Sequence, residues 1–232
     1  MDYRAKERMM AERISLLSPD FDFSAEVERA KNALQEGRII IAPLEHGYVF
    51  LADAFNHGAV KKIHVLRRDA VGVAAQVLIG DVRTARGIVA DLNPTITSIC
   101  ERFWPGLLTI NIAPAQGLVW DLGDARALDL ISIRVPGAEF VREVALASGP
   151  LAVASASLAG VAPKRTTSLF PALDSDYAYL FDGGELPEGE ASTVLTVRDS
   201  GLMLTCPKPS LVLILSNYKA KTLRLLPFSY RN

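Results

Sequence analysis

The fold of this chain is decided by the stretch Pro150-Leu151-Ala152-Val153-Ala154-Ser155-Ala156-Ser157-Leu158-Ala159-Gly160. Its apolar run over residues 151–154 is typical of a short strand that is buried on both faces. Ser155 and Ser157 lie two positions apart, so in extended geometry both hydroxyls project to one side, where they can bind a phosphate or a ribose. The same pattern also fits a core strand that runs into a Ser/Gly loop and binds nothing.

Composition narrows the class of protein. Half of the 232 residues are hydrophobic and 22% are charged, which allows a sizeable core and excludes global disorder. The formal net charge is only -1, so any anion site must be a local cluster of basic residues. Residues 1–13 are charged and lack an apolar signal segment, and no apolar run has the length of a membrane span. We therefore expect a cytoplasmic protein with no membrane partner.

Cysteine and histidine usage predicts no metal site. Cys100 and Cys206 lie far apart without metal-like spacing, and the three histidines are scattered. Two buried thiols in a reducing compartment account for the cysteines. Glycine-rich phosphate loops and the Gly-x-Ser-x-Gly elbow are also missing, so the chemistry must come from dispersed positions.

Helical and strand patterns alternate along the chain and predict one α/β domain over residues 24–232, preceded by an N-terminal arm, residues 1–23. Ser24 is the expected N-cap of the first helix, which ends at Gly37. Further helices are expected over residues 59–66, 81–90, 94–103 and 140–147. Strands are expected over residues 38–42, 73–79, 107–113, 128–135, 192–197, 203–206 and 211–215.

Polar residues stand at several predicted element ends, where α/β proteins usually bind ligands. The pair Glu45-His46 follows the first strand, although a lone histidine is weak support for a site. Arg67-Arg68 ends the second helix, and it either complements the helix dipole or binds an anion. Arg134 interrupts an apolar strand. Such an arginine needs an anion or a fixed acceptor, so a ligand site and a buried salt bridge both fit.

Five segments in the correct order resemble the YrdC-like family, the threonylcarbamoyl-adenylate synthases, between about residues 25 and 197. The segment Phe103-Trp104-Pro105-Gly106-Leu107-Leu108-Thr109 is similar to the family's Trp-Pro-Gly-Pro-Leu-Thr turn. Ile133-Arg134-Val135-Pro136 matches its Arg-Val-Pro strand end. Residues 150–160 resemble Pro-Leu-x-x-x-Ser-Ala-Asn-x-Ser-Gly, residues 189–194 resemble Gly-x-Glu-Ser-Thr-Val, and residues 53–66 match the early helix.

The resemblance implies a fold and a reaction. The fold is a YrdC-like twisted mixed sheet flanked by helices, with one open cavity. In the reaction, L-threonine and bicarbonate give a carbamate whose carboxylate attacks the α-phosphate of ATP. Pyrophosphate leaves, and threonylcarbamoyl-AMP forms as the precursor for modifying an adenosine of transfer RNA. ATP with Mg²⁺ enters as a substrate, so no tightly bound cofactor is expected. Catalysis of this type rests on positioning and charge neutralisation.

The same resemblance assigns roles to individual positions. Arg67 and Arg134 are the expected catalytic residues. Nucleotide binding is expected from Arg67, Arg68, Ser155, Ser157, Ser192 and Thr193. Substrate binding is expected from Leu44, His46, Thr109 and Arg134.

The chain departs from the family pattern at three places. The family's Pro-Thr-(Asp/Glu)-Thr becomes Pro43-Leu44-Glu45-His46, which removes two hydroxyls from the amino-acid pocket. Its Lys-x-Arg-Pro becomes Arg67-Arg68-Asp69-Ala70, and an aspartate facing a triphosphate would repel it. Its Ser-x-Asn becomes Ser155-Ala156-Ser157. This pattern resembles the YciO-type branch more than a housekeeping synthase, and the resemblance to the family fades over residues 198–232.

Three function classes remain open at this stage. The first is a synthase for threonylcarbamoyl-AMP or for a similar adenylate of another small carboxylate. The second is a protein that binds nucleotide or RNA without synthase activity, with transfer RNA or double-stranded RNA meeting Arg67, Arg68, Lys164 and Arg165. The third is an interaction protein that has kept only the fold. A homodimer is a candidate assembly for each.

Overall fold

The computed structural model describes residues 11–168, 176–198, 201–205 and 223–225. Within these ranges, eleven strands form one sheet in the order β1-β8-β2-β3-β7-β4-β6-β5-β9-β10-β11. The strands are β1 (Glu12–Ser15), β2 (Ile40–Pro43), β3 (Tyr48–Asp53), β4 (Gln76–Leu78), β5 (Leu108–Ile112), β6 (Ile131–Arg134), β7 (Leu151–Ser155), β8 (Tyr179–Asp182), β9 (Thr193–Arg198), β10 (Gly201–Thr205) and β11 (Leu223–Leu225). The helices are α1 (Phe23–Gln35), α2 (His57–Arg67), α3 (Val82–Ile88), α4 (Pro94–Phe103) and α5 (Glu139–Ser148).

The sheet mixes parallel and antiparallel pairs, which confirms the predicted mixed sheet flanked by helices. The strand predicted from the apolar run at residues 151–154, β7, is central and antiparallel to both of its neighbours, β3 and β4. On the other side of β4, the pairs β4·β6 and β5·β9 are parallel. None of the helices in the described ranges is long and apolar enough to cross a membrane.

Several predicted element bounds need correction. The first helix is capped by Asp22, whose carboxylate accepts the backbone N–H of Ala25 at 3.1 Å, so the prediction of Ser24 as N-cap is wrong. Both residue types are good caps, and the side-chain geometry decides between them. Within the predicted arm, Glu12–Ser15 pairs in parallel with β8 and belongs to the sheet. The strand predicted over residues 211–215 lies outside the described residues.

One face of the sheet is apolar across β4, β5, β6 and β9. The residues Ile110, Ile112, Ile131, Ile133 and Leu195 pack there with α3 and α4 in one buried cluster. Successive side chains of a strand point to opposite faces. The intervening residues of β5 and β6, which are Thr109, Asn111, Ser132 and Arg134, therefore lie on the other face.

That second face is divided into an apolar half and a polar half. Over β2, β3, β7 and β8 it is covered by α1 and α5, which pack Leu34 and Val144 against Leu51, Leu151 and Val153. The boundary falls between two paired residues. Leu78 of β4 belongs to this apolar cluster, whereas its partner in β6 is Arg134. The polar half of the face, over β4, β6, β5 and β9, is the candidate site.

Candidate functional site

The polar half of the sheet face carries a hydrogen-bonded chain that links three segments. Gln76 Nε2 of β4 donates to Thr109 Oγ1 of β5 at 2.8 Å. Thr109 Oγ1 lies 2.8 Å from Ser192 Oγ, just before β9. Thr109 is only 1% exposed, so its hydroxyl holds the other two side chains in place. The structure thus brings two predicted residues, Thr109 and Ser192, into direct contact, and it adds Gln76, which sequence reasoning missed.

A second polar group is centred on Asn111, two residues after Thr109 in β5. Ser132 Oγ donates to Asn111 Oδ1 at 2.6 Å, and Asn111 Nδ2 donates to Thr196 Oγ1 at 3.4 Å. Sequence reasoning missed this group as well. The signal that could have found it is the period-two alternation of polar and apolar residues in β5 and β6, because a strand buried on both faces would be apolar throughout.

Arg134 is the most buried cation of the predicted set, with a side chain that is 5% exposed. Its Nη1 lies 3.2 Å and 3.1 Å from the two carboxylate oxygens of Glu45, whose side chain is 16% exposed. The backbone N–H of Gly137 donates to Glu45 Oε1 at 2.7 Å. The buried salt bridge that the sequence left open is therefore present. Arg134 Nε is buried and has no hydrogen-bond partner among the described residues.

The turn before β5 is hydrogen-bonded to Val135, the residue that follows Arg134. Gly106 N–H donates to the carbonyl of Val135 at 2.9 Å, and Trp104 Nε1 donates to the carbonyl of Leu108 at 2.6 Å. A Cβ at Gly106 would lie 2.8 Å from the carbonyl oxygen of Phe103, so only glycine fits this position without a shift. The Trp-Pro-Gly segment thus joins the start of β5 to the end of β6.

Leu44 and His46 replace the threonines that the family resemblance would place here, and each has a packing role. Leu44 lies against the α1/α5 cluster and has no polar group to offer a substrate. The ring of His46 packs flat on Gly189, where a Cβ would come within 2.2 Å of two ring atoms. His46 Nδ1 is buried without a partner in the described part of the chain. The expected substrate-binding role of both residues stays a prediction.

Arg67 is held by several acceptors at once. Its Nε donates to Asp69 Oδ2 at 3.1 Å, and its Nη1 donates to the carbonyl oxygens of Ser155 and Ser157, the latter at 3.0 Å. Asp69 Oδ2 also lies 2.9 Å from His64 Nδ1. Since Asp69 is 4% exposed and is paired with these two side chains, the repulsion of a triphosphate expected from the sequence does not follow from its position.

The two serines of the opening stretch are not presented as the sequence predicted. β7 ends at Ser155, and the chain then turns tightly. The backbone N–H of Ser157 donates to the carbonyl of Ser155 at 2.8 Å. The expectation that both hydroxyls project to one side of an extended strand is therefore wrong. Ser157 is 7% exposed, and its Oγ donates to the carbonyl of Val161 at 3.2 Å.

The remaining predicted cations are dispersed. Arg68 ends α2 in a left-handed conformation, is exposed, and lines a cleft of about 640 Å³ between α2 and residues 121–125. Arg165 is held by Glu185 and Glu188 at 2.8 Å and 2.7 Å, so it does not lie free to meet a phosphate.

Thr193 is fully buried, and its N–H donates to the carbonyl of Leu107 at 2.9 Å.

Tyr48 ties the start of β3, beside His46 and Gly47, to the end of β8. Its hydroxyl lies 2.7 Å from the carbonyl of Gly184 and 3.0 Å from Asp182 Oδ1, and it accepts the N–H of Gly183 at 3.0 Å. Burial, together with the hydrogen bond to Asp182, raises the pKa of Tyr48 to about 12. The hydroxyl therefore stays protonated at neutral pH and acts as a structural donor.

No group of three or more His, Cys, Asp or Glu side chains within the described residues has the arrangement of a metal site. The polar half of the sheet face instead offers one buried guanidinium, four hydroxyls and two amides. This set can bind anions and neutral polar groups.

Comparison with known proteins identifies relatives of this arrangement. A family model described as telomere recombination, Sua5_yciO_yrdC, matches residues 32–205. A Mycobacterium tuberculosis protein provisionally named threonylcarbamoyl-AMP synthase is 28% identical over 185 residues, which cover 78% of this chain and 82% of that protein. The threonylcarbamoyl-AMP synthase of Bacillus subtilis is 29% identical over 184 residues, which cover 78% of this chain and 53% of the relative.

Solved structures share the fold. The crystal structure of P. abyssi Sua5 complexed with L-threonine has a TM-score of 0.79 at 20% identity, and the match covers 94% of this chain and 63% of that one. E. coli YciO has a TM-score of 0.69 at 18% identity, over 84% of this chain and 95% of that one. This chain thus spans less than two thirds of the Sua5 protein and about half of the Bacillus relative. The matched family model covers most of the sequence, and the chain belongs to the Sua5/YciO/YrdC family.

Proposed function

We propose that this protein is a threonylcarbamoyl-AMP synthase, which condenses L-threonine, bicarbonate and ATP to threonylcarbamoyl-AMP and pyrophosphate. The amine of threonine adds to bicarbonate with loss of water and gives a carbamate. A carboxylate oxygen of the carbamate then attacks the α-phosphorus of ATP, and the bond to the pyrophosphate leaving group breaks. Support comes from the family, from relatives that carry this enzyme name, and from the polar half of the sheet face.

Arg134 is the observation that carries the proposal. Glu45 binds only its Nη1, and Nε has no partner among the described residues although it is buried. A buried donor without an acceptor costs free energy, so this guanidinium is prepared for an anion that is still to arrive. A carboxylate or a phosphate suits its planar fork. Arg134 is thereby the residue expected to bind the substrate's negative charge during the reaction.

The other residues have supporting roles in this proposal. Thr109, Gln76 and Ser192 present a pre-oriented hydroxyl and amide edge for polar substrate groups beside Arg134. Arg67 and Arg68 remain the expected phosphate neighbours at the end of α2. Mg²⁺ would enter bound to the ATP phosphates and neutralise the charge that develops on pyrophosphate. Transfer RNA is the expected acceptor of the product in a later step.

A mass-spectrometric product assay tests the proposal. Purified protein is incubated with ATP, Mg²⁺, bicarbonate and L-threonine, and threonylcarbamoyl-AMP is measured together with pyrophosphate. Equal amounts of both products would establish the synthase. Omission of bicarbonate is the matched control and should abolish both products. ATP consumption without the acylated adenylate would contradict the proposal.

A second candidate is a protein that binds a nucleotide or RNA without synthase activity. It is favoured by residues 43–46, where the family resemblance places the amino-acid pocket. There Leu44 packs against an apolar cluster and His46 packs on Gly189. The two candidates differ in the product assay. Binding of ATP or AMP by calorimetry, without product, would favour the second, and binding to RNA should then weaken steeply as the salt concentration rises.

A further inference from the structure

Asp69 occupies the position where the family pattern has its second cation. Its contacts indicate what the aspartate does there. A surface aspartate would only remove a positive charge from the nucleotide site. The side chain of Asp69 is instead only 4% exposed, and one of its carboxylate oxygens lies 3.1 Å from Arg67 Nε and 2.9 Å from His64 Nδ1. Charged groups are rarely buried unless they are paired.

The far side of Arg67 shows what this pairing holds in place. Arg67 Nη1 donates to the carbonyls of Ser155 and Ser157, while Ala159 N–H donates to the carbonyl of Arg67 at 2.8 Å. Arg67 thus binds the turn after β7 through both its side chain and its backbone. A carboxylate on Nε fixes the plane of the guanidinium, and the plane decides whether Nη1 reaches both carbonyls.

His64 completes the arrangement from α2. Its Nε2 lies 2.8 Å from the carbonyl oxygen of Leu122, so the ring is held at both nitrogens. Gly123 allows this approach, because a Cβ there would lie 2.3 Å from His64 Nε2. His64, Asp69 and Arg67 therefore form a continuous, partly buried chain from residues 122–123 to the turn at residues 155–159.

We infer that Asp69 is a positioning residue that acts through Arg67: with His64 it fixes the guanidinium that holds the turn at residues 155–159 in its nucleotide-binding conformation. This inference rests on the proposed function for the identity of the ligand, ATP. It assigns a role to a residue that the family pattern would count as a lost cation. Restoring that cation is then harmful, because an arginine at position 69 would face Arg67 at short range.

Two substitutions separate a positioning residue from a lost cation. Asp69→Asn keeps the shape and removes the charge that orients Arg67. It should raise the KM for ATP about tenfold, the size expected for one charge-assisted hydrogen bond, and leave the KM for threonine unchanged. Asp69→Arg restores the family's residue type. It should weaken ATP binding further, whereas ATP affinity equal to or above that of the wild type would overturn the inference.

Hydrogen exchange supplies a readout that does not depend on activity. Amides of residues 157–161 should exchange faster in Asp69→Asn than in the wild type, because the turn loses the fixed guanidinium. The matched control is Asp176→Asn. In the wild type, the Asp176 carboxylate lies 3.9 Å from Lys62 of α2, the helix that also carries His64 and Arg67. This variant should change neither the KM for ATP nor the exchange rates. Unchanged exchange in Asp69→Asn overturns the inference, even if the wild type lacks synthase activity and the proposed function fails. Faster exchange together with unchanged ATP affinity would overturn the nucleotide-positioning role.

Discussion

Arg134 and Arg67 are both paired with a carboxylate, yet the two regions use their arginine differently. Glu45 binds Arg134 through Nη1 alone, and a buried Nε is left without a partner among the described residues. Arg67 instead meets Asp69 and two backbone carbonyls. The first guanidinium retains its Nε for a ligand, whereas the second uses its Nε to bind Asp69 and its Nη1 to hold a turn.

The difference teaches that residue type does not reveal which arginine meets the substrate. Both residues match positive positions of the family pattern, and both stand at the end of an element. Their roles follow from how many donors the fold has already satisfied. Substitutions in arginine–carboxylate pairs of decreasing burial test whether unsatisfied donors decide the role of each arginine.

The largest effect is expected at Arg134. Replacing it by Ala leaves Glu45 without its counter-charge and should lower the free energy of unfolding by about 3 kcal/mol. Turnover should disappear because Arg134 is the residue proposed to bind the substrate's negative charge, and no other cation in the described part of the chain is paired with Glu45. Urea denaturation and the product assay measure the two effects. Arg134→Lys is the control for charge: it should retain more stability than Arg134→Ala but still lose turnover, since the fork is missing. Unchanged turnover in either variant would contradict the assignment.

A smaller effect is expected for Glu45→Gln. The amide oxygen can still accept the N–H of Gly137, but Arg134 loses its counter-charge. We expect the free energy of unfolding to fall by about 2 kcal/mol. The KM for threonine should rise in Glu45→Gln, whereas we expect it to stay unchanged in Asp69→Asn. Equal stability of Glu45→Gln and the wild type in urea would show that the pair is not needed to keep Arg134 in place.

Asp182 and Arg13 form a half-exposed pair, 2.6 Å apart, whose contribution should depend on pH. Burial opposes ionisation, but the N–H of Gly184 and the side chains of Arg13 and Tyr48 outweigh it, so the pKa of Asp182 lies below its usual 3.8. A lowered pKa contributes stability above the unfolded value, and this is lost as the pH falls through the folded pKa. Asp182→Asn should therefore cost stability at pH 7 and little at pH 2. A cost that does not vary with pH in denaturation curves would refute this.

The smallest effect is expected at Arg83, whose side chain is 88% exposed and lies 2.9 Å from Asp81. Exposed ion pairs contribute little, so Arg83→Ala should change the free energy of unfolding by less than about 0.5 kcal/mol. Turnover should not change. Arg83→Ala is the baseline for the series. If it lowered the free energy of unfolding as much as Glu45→Gln does, burial would not determine how much each arginine–carboxylate pair contributes to stability.

Much of the fold could be predicted because its signals are local. The apolar run at residues 151–154, the amphipathic pattern of α1 and the alternation of helices and strands depend on neighbouring residues alone. The N-cap was misplaced by two residues, since Asp22 and Ser24 are equally good by type and only geometry separates them. The serine pair was misjudged for a similar reason: β7 ends at Ser155, and the sequence does not mark where a strand becomes a turn.

The sequence by itself determined the family, the mixed α/β class and the residue types available for anion binding, because these follow from order and periodicity. Only the tertiary structure decided how they are used. It placed Glu45 on Arg134, Asp69 between Arg67 and His64, and Gln76 on Thr109, contacts that join positions from 2 to 89 residues apart. The pairings of Glu45 with Arg134 and of Gln76 with Thr109 depend on how the sheet brings distant segments together, and no local pattern encodes them. They also decide which buried donors remain for a ligand.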